Sequence, residues 1–329
     1  MKSPIFKRPL RVFYSEDYAV GEGLETVTKS KLLAKMITDG KMSGVELVAP
    51  KLATEEELLL IHSPEYVGRV LNGETQVGDG RGHVGKLARN VAEGHEGTRG
   101  QGDKVTRGCE GRDAVAPLPI NKLVRSVLAT TGGMRDATNE ALRNGRSGSF
   151  SSGLHHARAD AGMGFCTFNG LALAALEALK KVKSVGILDL DAHCGGGTAN
   201  ILKTNKRVRL ADVSVCSYDS WTPTAKSRHF IQVVDKPQSY LASVRKALKT
   251  LEGVDFLIYN AGMDTHEKAG GMAGITLDVI KEREGLVVEW ARERKVPIVF
   301  ALAGGYTWSG LTLKEVAELH LETVRAFNI

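Results

Sequence analysis

A series of short apolar runs of strand length punctuates this chain: Arg11 to Tyr14, Val45 to Val48, Gly148 to Ser152, Ser184 to Leu190, Val213 to Ser217, Val254 to Asn260 and Pro297 to Leu302. Between them lie stretches whose apolar residues recur every three to four positions, such as Leu171-Leu173-Ala174-Leu176-Leu179, Tyr240-Val244-Leu248-Leu251 and Val279-Leu286-Val287-Trp290, the spacing of one helix face. Strands joined through helices pair in parallel, because each connection must cross over the sheet, and helices then cover both faces. The expected fold class is α/β, a three-layer α/β/α arrangement around a mainly parallel sheet. With 329 residues, 42% of them hydrophobic, and no Pro/Ser-rich linker, residues 1–329 are expected to form one domain. The stretch from Gly73 to Ala116 departs from this pattern. It is dense in glycine and mixed charge and has no apolar periodicity, so a long loop or insert bordering the pocket mouth is expected there.

Composition narrows the function classes. The formal net charge is +6, but Lys and Arg are spread along the chain without an aromatic-interleaved patch, which argues for a solvated surface rather than nucleic-acid binding. The four cysteines, at positions 109, 166, 194 and 216, form no Cys-x-x-Cys pair, and neither a secretory signal nor an apolar span of membrane length is present. A reducing cytoplasm and no membrane partner are therefore expected.

Chemistry-bearing residues follow directly on four of the apolar runs. These are Gly153-Leu154-His155-His156, Asp189-Leu190-Asp191-Ala192-His193, Gly262-Met263-Asp264 and Gly304-Gly305-Tyr306. Ligands of open α/β sheets bind outside the carboxyl ends of the strands, so the four segments are expected to share one crevice. Residues two apart on an extended segment point the same way, which puts Asp189, Asp191 and His193 on one side. Carboxylates crowded there require a cation. Asp264 can supply a third ligand, and an Asp/His/Asp set with an open position suits Zn²⁺ or Fe²⁺. A lone Asp at a strand end is ordinarily a helix cap and a histidine pair ordinarily a hydrogen-bonded loop; their coincidence favours a metal centre with His155 and His156 handling protons. Paired glycines let Gly305 approach a ligand and deliver the Tyr306 hydroxyl to a developing oxyanion. Cys194, one residue past His193, points to the opposite side and reads as packed rather than ligating.

These motifs, together with Gly164-Phe165-Cys166, resemble the histone deacetylase superfamily, which includes acetylpolyamine amidohydrolases and acetoin-utilisation-type deacetylases and shares the arginase-like fold. The similarity runs from about Leu118 to Trp308, with a weaker likeness in Ile61-His62-Ser63-Pro64-Glu65-Tyr66-Val67. The resemblance implies a metal-dependent deacetylase acting on linear C–N amide bonds of a small acylated amine or acyl-lysine. It implies that Asp191, His193 and Asp264 bind Zn²⁺ and that His155, His156 and Tyr306 are catalytic, with Asp189 orienting His155. It further implies a structural K⁺ held with Asp189 and Ser214. Substrate is expected to meet Gly153, Phe165, Gly305 and, on the opposite tunnel wall, Tyr218 or Trp221.

The chain departs from the family pattern at two places. Members have His-His-Gly-Asp or His-His-Gly-Asn where this chain has His193-Cys194-Gly195-Gly196, so His156 is expected to lack its partner and to have a lowered pKa. Gly21-Glu22-Gly23-Leu24-Glu25 stands in place of an N-terminal His-Pro-Glu signature. Two alternatives stay open: a catalytically weak or dead acyl-amine-binding module, and an arginase-like ureohydrolase with two metals.

Overall fold

The computed structural model describes residues 8–19, 25–40, 42–73 and 120–329. Apart from Gly73, the glycine-dense segment lies outside the described residues, as do Gly21 to Leu24. Among the described residues, eight strands form one sheet: β1 (Leu10–Phe13), β2 (Val45–Val48), β3 (Arg146–Ser149), β4 (Val185–Asp189), β5 (Val208–Ser214), β6 (Phe230–Val233), β7 (Phe256–Gly262) and β8 (Ile298–Ala303). Their order is β2-β1-β3-β8-β7-β4-β5-β6, and every adjacent pair is parallel. The helices are α1 (Glu25–Asp39), α2 (Glu55–Leu58), α3 (Pro64–Leu71), α4 (Ile120–Asn144), α5 (Gly170–Ala178), α6 (Gly196–Leu202), α7 (Tyr240–Thr250), α8 (Leu277–Arg294) and α9 (Leu313–Phe327).

Successive side chains of the central strands go to opposite faces, and both faces are buried, as an all-parallel sheet requires. Ile187, Ile258 and Val299 pack with Met134 and Ala137 of α4 and Leu171 of α5. Their neighbours Leu188, Leu257 and Phe300 pack on the other side with Leu33 of α1, Val244 of α7, Val287 of α8 and Val324 of α9. The expected α/β/α architecture with a mainly parallel sheet is what these residues build.

Three strands differ from expectation. β3 runs Arg146–Ser149 rather than Gly148 to Ser152. β5 starts at Val208 and ends at Ser214, whereas the apolar pattern suggested Val213 to Ser217; Arg207 and Arg209 interrupt the run, yet Leu210 and Ala211 are buried between β4 and β6. β6 was not expected. It is a four-residue edge strand whose residues stay half-exposed, so no apolar run marks it.

The order β3-β8-β7-β4 makes the four strands that precede the chemistry-bearing segments contiguous, with their carboxyl ends on one edge. A buried guanidinium secures that edge from below. Arg283 of α8, fully buried, donates to the Gly262 carbonyl at 2.6 Å and the Thr265 hydroxyl at 3.1 Å, bracketing Asp264, and its Nε donates to Glu284 at 3.0 Å. The Tyr259 hydroxyl also donates to Glu284, at 2.8 Å. Removing one partner of a buried ion pair leaves the other charge uncompensated. Arg283→Met is therefore expected to lower unfolding stability by about 3–5 kcal/mol in urea titrations; a loss under about 1 kcal/mol, within the range of a surface change, would contradict the clamp.

Candidate metal and catalytic site

Beyond Asp189 the chain stays extended: Leu190 N–H donates to the Asn260 carbonyl at 3.1 Å, Cys194 N–H to the Tyr218 carbonyl at 3.0 Å, and His193 bridges Cys216 in parallel. Leu190, Ala192 and Cys194 turn into the interior, so Asp189, Asp191 and His193 share the other side. The Cys194 thiol is buried and pushed up to about 12 by that burial and by Asp212, which keeps it protonated. At the end of β7, Gly262-Met263 carries Asp264 to the same place. One ligand atom from each of Asp191, His193 and Asp264 lies within 4.8 Å of the other two.

Electrostatics at this cluster call for positive charge. Asp191 and Asp264 are 3% and 1% exposed, too little for water to screen them. Oδ1 of Asp264 accepts from Ala192 N–H at 3.0 Å, while the buried Oδ2 has no hydrogen-bond partner among the described residues. His193 Nδ1 lies 3.3 Å from that oxygen and hydrogen-bonds Asp191 Oδ1 at 3.1 Å. Burial works against a charge on His193, but the hydrogen bond to Asp191 and the nearby charge of Asp264 outweigh it and raise the imidazole to about 11. Burial and Asp191 together raise Asp264. A divalent cation answers both demands, and a mixed oxygen and imidazole donor set fits a zinc-type or iron-type ion.

The histidine pair reaches the cluster from β3. Leu154 adopts a left-handed backbone (φ 59°), unusual for a leucine, and this turn brings two consecutive histidines to the crevice with ring centroids 4.0 Å apart. His155 Nδ1–H donates to Asp189 Oδ2 at 2.8 Å, the proton being assigned to that nitrogen because a carboxylate only accepts. Asp189 also accepts from Asn260 at 2.8 Å and from Asp191 N–H at 3.2 Å. Burial opposes protonation of His155, yet Asp189 and Asp191 prevail and raise it to about 10.

His156 corrects the expectation drawn from Gly196. Its Nδ1 has a carboxylate partner after all, Asp219 Oδ2 at 2.9 Å, supplied by the loop after β5. His156 is indeed pushed down to about 4, but by burial and by the neighbouring His155, against the pull of Asp219.

The pocket beside the cluster is lined by His155, His156, Asp191, His193, Phe165 and Tyr306, with Gly304 among further residues. Gly304 and Gly305 both take left-handed angles (φ 53° and 85°), which turn the chain at the end of β8 and put Tyr306 on the rim, its ring stacked 3.8 Å from that of Trp308. Phe165, also left-handed at φ 66°, is partly exposed. Tyr218 stands edge-on to His156 and His193, with centroids at 5.2 and 5.9 Å. Gly153, Tyr218, Gly305 and Trp221 are not among the lining residues. Gly153 packs against Asn260 and Leu171, and the Trp221 indole donates to Asp212 at 2.9 Å. Ser214 likewise donates to Asp212, whose buried carboxyl is raised to about 7 by desolvation and by Asp189.

Sequence reasoning missed three charged residues here. Lys29 of α1 is fully buried, donates to the Gly304 carbonyl and is pushed down to about 8 by burial, against Asp264 and Asp191. Asp212 left a signal, a carboxylate inside the apolar run Leu210-Ala211-Asp212-Val213. Asp219 left none beyond its place between the two aromatic residues 218 and 221. The arrangement combines three side chains that could hold a cation, two imidazoles with different carboxylate partners and a hydroxyl on the rim, parts suited to hydrolysing an acyl bond with activated water.

A family model described as Histone deacetylase domain matches residues 24–227. Histone deacetylase 2 of Arabidopsis thaliana is 26% identical over 324 residues, covering 90% of this chain and 74% of that protein. The acetoin utilization protein AcuC of Staphylococcus xylosus is 24% identical over 186 residues, covering 56% and 42%. Among solved structures, the acetylpolyamine aminohydrolase of Burkholderia pseudomallei superposes with a TM-score of 0.70 at 16% identity, covering 97% of this chain and 98% of its own, and the HD domain of HDA15 does so with the same score and identity over 98% and 90%. The match to the family model spans more than half of the chain, and the chain belongs to the histone deacetylase family.

Proposed function

We propose that this protein is a single-metal amidohydrolase that removes the acyl group from a small acylated amine or an acyl-lysine. Membership of the family makes it a deacetylase acting on amide bonds; the metal, the residue roles and the substrate are the proposal. The observation that carries it is the buried Asp264 Oδ2, which accepts no hydrogen bond from the described residues and lies beside Asp191 and His193. Zn²⁺ or Fe²⁺ held by Asp191, His193 and Asp264 would supply Lewis-acid polarisation of the acyl carbonyl and acidify water in the site.

The side chains do the rest. With Nδ1–H committed to Asp219, the lone pair of His156 is on Nε2, and this nitrogen takes the proton of the attacking water. His155, kept protonated by Asp189 and Asp191, holds positive charge near the tetrahedral centre and gives a proton to the departing amine. The Tyr306 hydroxyl donates to the developing oxyanion, and Phe165 with Tyr218 flanks the aliphatic stem of the amine. A structural K⁺ at Asp189 and Ser214 belongs to the same proposal, supported by the second buried carboxylate, Asp212, beside Asp189. Residues 1–329 are taken as one catalytic domain. No helix among the described residues is long and apolar enough to cross a membrane, and Cys166, Cys194 and Cys216 are free thiols, which supports a cytoplasmic enzyme. The reading as an inactive binding module rested on a His156 without a partner, and Asp219 removes that support.

Acetate release from acetylated polyamines and from acetyl-lysine peptides, measured with the metal-loaded protein, tests the proposal. Turnover of at least one class is expected. Turnover of arginine to urea with two equivalents of manganese would replace it with the ureohydrolase reading. Tyr306→Phe is expected to keep fold and metal and to lower kcat by about 10²-fold, the cost of one oxyanion donor; unchanged kcat would remove Tyr306 from the mechanism.

A further inference from the structure

We infer that Asp219 is the positioning residue for His156, so that the loop after β5 carries the carboxylate which the family motif puts at the position of Gly196. The inference rests on the proposed role of His156 as the base. It starts from space: a Cβ on Gly196 would lie 2.3 Å from both the backbone oxygen and Oδ1 of Asp219, closer than real Cβ atoms approach anything. A side chain at 196 and the observed Asp219 therefore exclude one another. Gly196→Asp, the substitution the motif suggests as restorative, collides with the residue already there.

Asp219 is held for this task from every side. Its side chain has no solvent exposure. Oδ2 accepts from His156 Nδ1–H at 2.9 Å and from Gly197 N–H at 3.1 Å, while Oδ1 pairs with Arg158. The loop is pinned by Cys194 N–H on the Tyr218 carbonyl, next to His193. The backbone of Asp219 is left-handed (φ 57°), a region where aspartate is among the more tolerated residues and which still costs about 1–2 kcal/mol. Such strain persists only where surrounding contacts fix it. Arg158 follows His156 by two residues, so one segment contributes both the imidazole and the guanidinium that pairs with its partner. An acceptor-only carboxylate on Nδ1 fixes the tautomer and leaves Nε2 able to take a proton. The same loop carries Tyr218, 46% exposed and edge-on to His156, so the residue that orients the base neighbours one that faces an incoming chain.

Asp219→Ala tests this in two ways. Loss of a carboxylate that orients a functional histidine typically costs 10- to 100-fold. kcat on the acyl-amine is expected to fall by about that factor, with KM within about twofold and metal content unchanged, and formate is expected to restore part of kcat in the variant and none in the wild type. Unchanged kcat in a folded, metal-loaded variant would overturn the inference. ¹⁵N-histidine spectra give a readout that needs no turnover. The wild type is expected to show a downfield, slowly exchanging Nδ1–H signal that disappears in His156→Gln and in Asp219→Ala; its survival in Asp219→Ala would equally overturn the inference. Should no acyl-amine be turned over by the wild type, the spectra still decide the Asp219 contact while the functional reading falls by itself. If Asp219→Ala does not fold, Asp219→Asn, of equal size, takes its place: a kcat reduced about tenfold or more supports the inference and wild-type kcat overturns it.

Discussion

Two carboxylates, Asp191 and Asp264, are buried within reach of one imidazole, and one of their oxygens accepts no hydrogen bond from the described residues. Burying an ionised carboxylate costs several kcal/mol even after relaxation, and two together cost more through mutual repulsion. Such a cluster survives in a folded chain only with cationic compensation. His193 and His155 answer with raised proton affinities, and a metal ion answers better because one ion reaches all three ligands at once. Much of the surrounding structure serves to hold these charges apart from water and fixed in direction.

The fold does this by strand order. β3, β8, β7 and β4 are neighbours, so four segments far apart in sequence emerge side by side from one edge of the sheet. The left-handed residues Leu154, Phe165, Asp219, Gly304 and Gly305 fall in the segments around that edge, the two glycines without steric cost and the other three at some conformational cost. Behind them, the fully buried Arg283 and Lys29 donate to the carbonyls of Gly262 and Gly304, at the ends of β7 and β8.

Much of this was legible in the sequence because the central strands are apolar on both faces and end in polar residues. The runs around Ile187, Ile258 and Val299 marked β4, β7 and β8, and the period of two in Asp189, Asp191 and His193 marked the common side of these three side chains. What was not legible depends on contacts that no local period encodes. Asp219 meets His156 across 63 positions, through a loop whose direction depends on a left-handed turn. Lys29 enters from α1, where a lysine just before the apolar stripe Leu33-Ala34-Ile37 reads as solvated, and α4 hides its length behind Thr130-Thr131-Gly132-Gly133. The motif at Gly196 misled for a physical reason: it reports a missing side chain, whereas the space is filled from another segment.

The central claim is one divalent ion between Asp191, His193 and Asp264. Anomalous-difference diffraction from crystals of protein purified without added metal, collected above and below the zinc and iron absorption edges, addresses it most directly. The expected result is a single peak bounded by these three side chains, at near full occupancy, and lost in Asp264→Asn. Two peaks about 3.5–4 Å apart, the separation of two-metal hydrolytic sites, or a single peak elsewhere in the crevice, would contradict it.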